Sequence, residues 1–180
     1  LTHSSIWCIV KDNQGTLWLG TYFGGVNYFN PEYEIYTRYS YSSNEKQGLS
    51  NPVVGRTIED KNGNLWIGTE GGGLNYFNRR TREFKWYRPQ EGRNSISHNN
   101  VKALYYDADK EIIWIGTHLG GLNRLDIRSG HFTHYRMEDN NRQTLPSDIV
   151  RDIIPYKDLL IVATAESAGN CLKTAKRGNP

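Results

Sequence analysis

Cysteine is scarce in this chain: its 180 residues hold two, Cys8 and Cys171, near opposite ends. Neither stands in a ligand spacing, so no zinc site is expected, and a disulfide would have to bridge the whole length of the chain. Both are expected to be free and buried, the common state of an isolated thiol. Long apolar runs are missing as well. The longest, residues 159–165, falls far short of the roughly 20 residues that span a bilayer. Residues 1–10 lack the basic start and apolar core of a signal peptide. Charge of one sign is nowhere concentrated: 22 basic and 19 acidic residues are scattered to a net charge of +3. That leaves no stripe to follow a phosphate backbone and argues against nucleic acid as a partner. Catalytic groupings are lacking too. The five histidines show neither carboxylate spacing nor a metal-binding pair, and Asp12 and Asp60 lack the alternating ligands of a calcium loop, so no metal or cofactor is expected.

What the chain has is aromatic residues, 12% of the total, beside 18 glycines. Rings pack well on pleated surfaces and glycine bends the chain between them, so the composition is that of an all-β protein. It is also a repeat. Leu17-Trp18-Leu19-Gly20-Thr21 returns as Leu65-Trp66-Ile67-Gly68-Thr69, then as Ile113-Trp114-Ile115-Gly116-Thr117, and weakly as Leu160-Ile161-Val162-Ala163-Thr164, at periods of 48, 48 and 47 residues. Around that anchor recur a Gly-Gly pair followed by an Asn (Asn27, Asn75, Asn123) and an aromatic pair three apart (Tyr36 and Tyr39, Phe84 and Tyr87, Phe132 and Tyr135).

Each period holds four short strand signals: one starting at Ile6, Val54, Val101 or Val150, the Trp pentapeptide, the segment after Gly-Gly, and the spaced aromatics. Asp12 to Gly15 and Asp60 to Gly63 join the first two as hairpin turns, since Asp and Asn tolerate turn dihedrals and Gly supplies a positive φ. A four-stranded antiparallel unit with a period of 40 to 50 or so residues reads as a β-propeller blade. The expected boundaries are 1–39, 40–87 and 88–135 for three blades, 136–172 for an incomplete fourth without its outermost strand, and 173–180 for an irregular tail. That amounts to fifteen strands, about 3.75 blades, an open arc whose apolar flank near Ile6, Trp7 and Ile9 would seek a partner. Two other propeller signals fit less well: the sialidase Asp-box spaces its Gly and aromatic more tightly than Asp12, Gly15 and Trp18 do, and no Trp precedes an Asp as in WD repeats.

The motifs Leu49-Ser50, Ile58-Glu59-Asp60, Gly63-Asn64, Leu65 to Thr69, Gly71-Gly72-Gly73-Leu74-Asn75 and Phe84 to Tyr87 together resemble the propeller repeats in the periplasmic sensor region of hybrid two-component regulators. The resemblance covers residues 1 to about 172 and weakens in the last unit, where Ile161 replaces the Trp and Ala163 the Gly. It implies a ring of roughly seven blades. It also implies a membrane-anchored, homodimeric parent whose periplasmic part binds an oligosaccharide and switches on polysaccharide-utilisation genes through a histidine kinase phosphorelay.

Positions that return in every repeat serve the blade; those that differ are free to serve a ligand. Trp18, Trp66 and Trp114 therefore read as core wedges, and Asn27, Asn75 and Asn123 as buried amides bonding neighbouring backbone. The loops after the second strand and those entering the first share one face, around the mouth of the channel, where small-molecule sites collect. There the chemistry varies: Tyr22 and Phe23, Glu70, His118 and Glu166 on one set of loops, and Arg93, His98 and Asn99 on the other. Rings beside hydrogen-bonding groups suit a sugar. The competing readings are a propeller lyase or glycosidase, for which Glu70, His118 and Glu166 are the available acid and base groups, and a purely structural propeller for protein contact.

Overall fold

The first two repeats each turn on an Asp between their first and second strands. In the computed structural model, which describes residues 3–30, 32, 35–139, 141, 144–166 and 169–176, the Asp12 carboxylate accepts hydrogen bonds from the backbone N–H of Gln14 and Thr16, each at 2.9 Å, and from the Trp18 indole at 2.8 Å. Asp60 does the same for Asn62, Asn64 and Trp66 at 2.9, 3.0 and 3.2 Å. One side chain thus closes the hairpin and fixes the ring that fills the core. Gly15 and Gly63 complete these turns at φ of +83° and +77°, which only glycine adopts without strain.

The described residues form fifteen strands. The first blade holds β1 (Ile6–Lys11), β2 (Leu17–Thr21), β3 (Val26–Asn30) and β4 (Ile35–Tyr39). The second holds β5 (Val54–Glu59), β6 (Leu65–Thr69), β7 (Leu74–Asn78) and β8 (Glu83–Tyr87). The third holds β9 (Val101–Asp107), β10 (Ile112–Thr117), β11 (Leu122–Asp126) and β12 (Phe132–Tyr135). The fourth has β13 (Val150–Tyr156), β14 (Leu159–Glu166) and β15 (Gly169–Lys176). Every sheet is antiparallel with its strands in chain order, three of four strands and one of three, and β1, β5, β9 and β13 pack side by side as the inner strands. This is the blade architecture of a β-propeller. The last strand runs to Lys176, paired with Leu159, so 173–176, expected to be irregular, are strand: β14 is eight residues long and offers β15 a longer ladder than the earlier blades have. Among the described residues, no helix is long and apolar enough to cross a membrane.

The blades meet on buried side chains. Trp18, Trp66 and Trp114 are almost fully buried, each in its own interblade cluster: Trp66 with Leu104, Ile113 and Phe132, Trp114 with Ile153, Leu160 and Val162, and Trp18 with Val54, Leu65 and Phe77. The repeated Gly of the pentapeptide is the seat for the next blade. A Cβ at Gly20, Gly68 or Gly116 would lie 2.7, 2.6 or 2.5 Å from Cγ1 of Val54, Val101 or Val150, closer than carbon atoms pack. The repeated Asn holds the entering loop: Asn75 accepts from Ser50 N–H and donates to Ser50 Oγ, both at 2.8 Å, and Asn123 bonds Ser97 likewise at 2.9 and 2.8 Å.

Candidate functional site

The mouth of the channel is built by a backbone pattern that repeats and side chains that do not. Just after the second strand of each blade, the N–H of Tyr22, Glu70, His118 and Ala165 donates to the carbonyl of Ser5, Val53, Asn100 and Ile149 at 2.9–3.1 Å. The same turns are stitched to the loop entering the next blade: Gly25 to Pro52, Gly73 to Asn99 and Gly121 to Asp148. Four equivalent anchors therefore present a phenol, a carboxylate, an imidazole and a methyl group at one rim.

A second variable ring, not singled out in the sequence, comes from a bulge in each inner strand. Ile6 pairs with Thr21 and Cys8 with Gly20, which leaves Trp7 extra. The same two-against-one count leaves Lys102 and Arg151 extra in β9 and β13, and places Gly55 and Arg56 opposite Gly68 in β5. Bulges re-aim side chains at rims, and here they bring the inner strand to the residues after the second strand. Trp7 stacks on Tyr22 with ring centroids 5.0 Å apart, Tyr22 meets Phe23 edge-on at 4.4 Å, and His3 faces both at 6.2 and 6.4 Å. Trp7 and Phe23 are about half exposed, 47% and 55%. The Lys102 ammonium forms an ion pair with Glu70 across two blades. Further in, the Arg56 guanidinium of β5 reaches Asp152 of β13 at 3.5 Å.

The remaining candidates fall differently. His98 and His118 lie ring to ring at 6.4 Å. Partial burial, then the neighbouring His118, pushes the His98 pKa below the usual histidine value, and its Nδ1 accepts from Asn100 N–H at 3.0 Å. Asn99 contributes its carbonyl to the loop stitching while its side chain is exposed. Arg93 bonds within its own turn, to Gln90 at 3.4 Å. The side chain of Glu166 lies outside the described residues, as does that of Cys171. Cys8 is free and half-buried, and burial raises its pKa, so it sits as an inert thiol against Thr57. Glu70, offered as an acid or base, is spent on Lys102. Among the described residues no three metal-ligating side chains gather. On the opposite face a cleft of about 190 Å³ lies between blades 1 and 2 over Trp18, Tyr28, Tyr39 and Phe77, with Arg79 and Arg82 at its rim.

Comparison with known proteins agrees with this architecture. The family described as Two component regulator propeller matches residues 1–23, 48–71 and 95–118. The chain is similar in structure to the extracellular domain of a hybrid two component system from B. thetaiotaomicron, with a TM-score of 0.82 and 26% identity over 98% of this chain and 24% of that one. A second such domain from that organism aligns with a TM-score of 0.74 and 22% identity over 96% of this chain and 22% of that one. PorZ, a surface component of the type-IX secretion system of Porphyromonas gingivalis, aligns with a TM-score of 0.67 and 20% identity over 95% and 26%. The last two likenesses show the fold alone. The chain spans about a quarter of the length of these structures. No curated protein matches it.

Proposed function

Three repeats of the chain match the two-component regulator propeller family, and from that premise we propose that it belongs to this family and is part of the extracytoplasmic, periplasmic sensor region of a membrane-anchored, homodimeric hybrid regulator. In this reading the propeller recognises an oligosaccharide without changing it, and a histidine kinase phosphorelay carries the signal to polysaccharide-utilisation genes. The observation that carries the recognition step is the exposed Trp7, Tyr22 and Phe23 cluster with His3 at the channel mouth. Ring faces left to water at a rim offer a surface for the C–H face of a sugar, and the polar groups of neighbouring blades stand ready for its hydroxyls. An enzymatic reading finds less support, because the carboxylate best placed for acid or base work, Glu70, is neutralised by Lys102.

Titration calorimetry of a glycan panel against the chain, with product analysis of the same mixtures, tests this. Binding without turnover is expected, weakened about tenfold by Trp7→Ala, the loss of roughly 1.4 kcal/mol of stacking. Cleavage of any glycan, or binding indifferent to Trp7, would overturn the assignment.

A further inference from the structure

One wall of a seam repeats and the other does not. Trp18, Tyr28 and Tyr39 of blade 1 return one repeat on as Trp66, Tyr76 and Tyr87. The side chains that meet them from the next blade change: Phe77, Arg79 and Arg82 become Leu125, Ile127 and Gly130. In the second seam Leu125 and Ile127 pack with Trp66 in one apolar cluster. In the first, a cleft of about 190 Å³ is left on the face opposite the channel mouth, and both guanidinium groups line it with the rings while no carboxylate does.

The two cations differ. Arg79 is engaged: it pairs with Asp12 and Glu59 at 3.0 and 3.4 Å and lies over the Trp18 ring, which makes it a wall of the cleft. Arg82 is exposed and, among the described residues, forms no ion pair. Its backbone is in the left-handed region, with φ of +58° at Arg82 against +71° at Gly130, and the N–H of each donates to a carbonyl, of Asn78 and of Asp126, at 2.8 Å. A turn that glycine takes freely is thus held by an arginine at a conformational cost, and strain of that kind collects at ligand sites. Tyr39 is fixed between Phe77 and Phe84, with ring centroids at 4.6 and 5.5 Å. Burial raises its pKa, so the phenol stays protonated at neutral pH and is able to donate a hydrogen bond.

We propose that this cleft is a second binding site, for a small carboxylate built on a single ring, with the ring against the aromatic wall and the carboxylate on Arg82. A guanidinium matches a carboxylate with two parallel hydrogen bonds. Drug-sized ligands need pockets of about 300–1,000 Å³, so the cleft takes one ring. A uronic acid and an aromatic acid share this chemistry. The site is separate from the channel mouth and stands whether or not a sugar binds there.

Nuclear magnetic resonance of the chain titrated with glucuronate, benzoate, glucose and benzyl alcohol tests this. An acid should move the backbone signals of Gln14, Thr16 and Arg82 and the indole signal of Trp18. Its neutral counterpart should bind about tenfold more weakly, the worth of a hydrogen bond to a charged group. Glucuronate alone doing so makes the ligand a sugar acid, benzoate alone an aromatic acid, and both together a site that reads only ring and charge. Arg82→Gly, which copies the third blade, should keep the melting midpoint or raise it while weakening acid binding by the same factor. Arg82→Gln should weaken it alike, and Trp7→Ala at the channel mouth should leave it unchanged. Signals unmoved by either acid, acids no better than their neutral counterparts, binding indifferent to both Arg82 variants, or binding lost with Trp7→Ala would overturn the proposal.

Discussion

At the scale of single residues, the distinction between scaffold and rim makes opposite demands on neighbours four apart. Trp66 is 2% exposed, and truncating it to alanine should cost about 3–5 kcal/mol and lower the melting midpoint by about 10 °C. Glu70→Ala removes a partly exposed ion pair and should cost less than about 1 kcal/mol; calorimetric melts of the two variants check the contrast. Gly73→Ala should be as damaging as a core truncation, because φ is +78° there and a Cβ would run into the Tyr87 carbonyl. His98 supplies a pH dependence. Its folded pKa lies below the ordinary histidine value, so on acidification the unfolded chain takes up the proton first. Stability is then full above the ordinary value and is lost as pH falls through it. Melting midpoints measured from about pH 7.5 to 5.5 should fall, and fall less in His98→Asn.

At the scale of elements, the third blade departs from the first two by one residue. Asp and Trp are six apart at Asp12 and Trp18 and at Asp60 and Trp66, but seven apart at Asp107 and Trp114. The added residue in the hairpin, with Glu111 at φ +55°, breaks the register of carboxylate and indole, and among the described residues Trp114 Nε1 has no hydrogen-bond partner. Trp66→Phe should therefore cost about 1 kcal/mol more than Trp114→Phe, the worth of the lost hydrogen bond to Asp60, measurable by urea denaturation. Much of this level was legible in the sequence. The Trp pentapeptide, the glycine pair and the spaced aromatics recur at one period and located the twelve strands of the first three blades, because each answers a constraint those blades share, while the weakened copy at Leu160 to Thr164 located the fourth. The bulge was not legible. It is a count of two residues against one across a strand pair, visible only once the pairing partner is known, and so Trp7 and Lys102 were missed as rim residues. The unlike residues at that position, Trp7, Gly55, Lys102 and Arg151, were the available signal.

At the scale of the molecule, blades pack on their neighbours, and the Arg56–Asp152 ion pair that reaches from blade 2 to blade 4 is exposed, so stability is close to a sum of blade and seam contributions and each seam can fail by itself. The first two of the three seams differ in kind. Arg79, following β7, reaches into blade 1, pairing with the fully buried Asp12 carboxylate at 3.0 Å, donating to Gln14 at 2.8 Å and lying over the Trp18 ring at 5.3 Å. Its equivalent one repeat on, Ile127, packs against the Trp66 cluster of blade 2 with no charge involved. Removing the cation leaves a buried carboxylate that three donors still satisfy, so Arg79→Met should cost about 3 kcal/mol, the lower end for a broken buried pair. Ile127→Ala, on a half-buried side chain, should cost about 1–2 kcal/mol. Hydrogen exchange separates the seams as well as the magnitudes. Arg79→Met should strip protection from Ile6–Tyr39 while leaving β10 and β11 as slow as before, because blade 1 is held only through that seam. Protection lost evenly across all four sheets would mean that the arc unfolds as one unit, and that the seam between blades 1 and 2 has no separate strength.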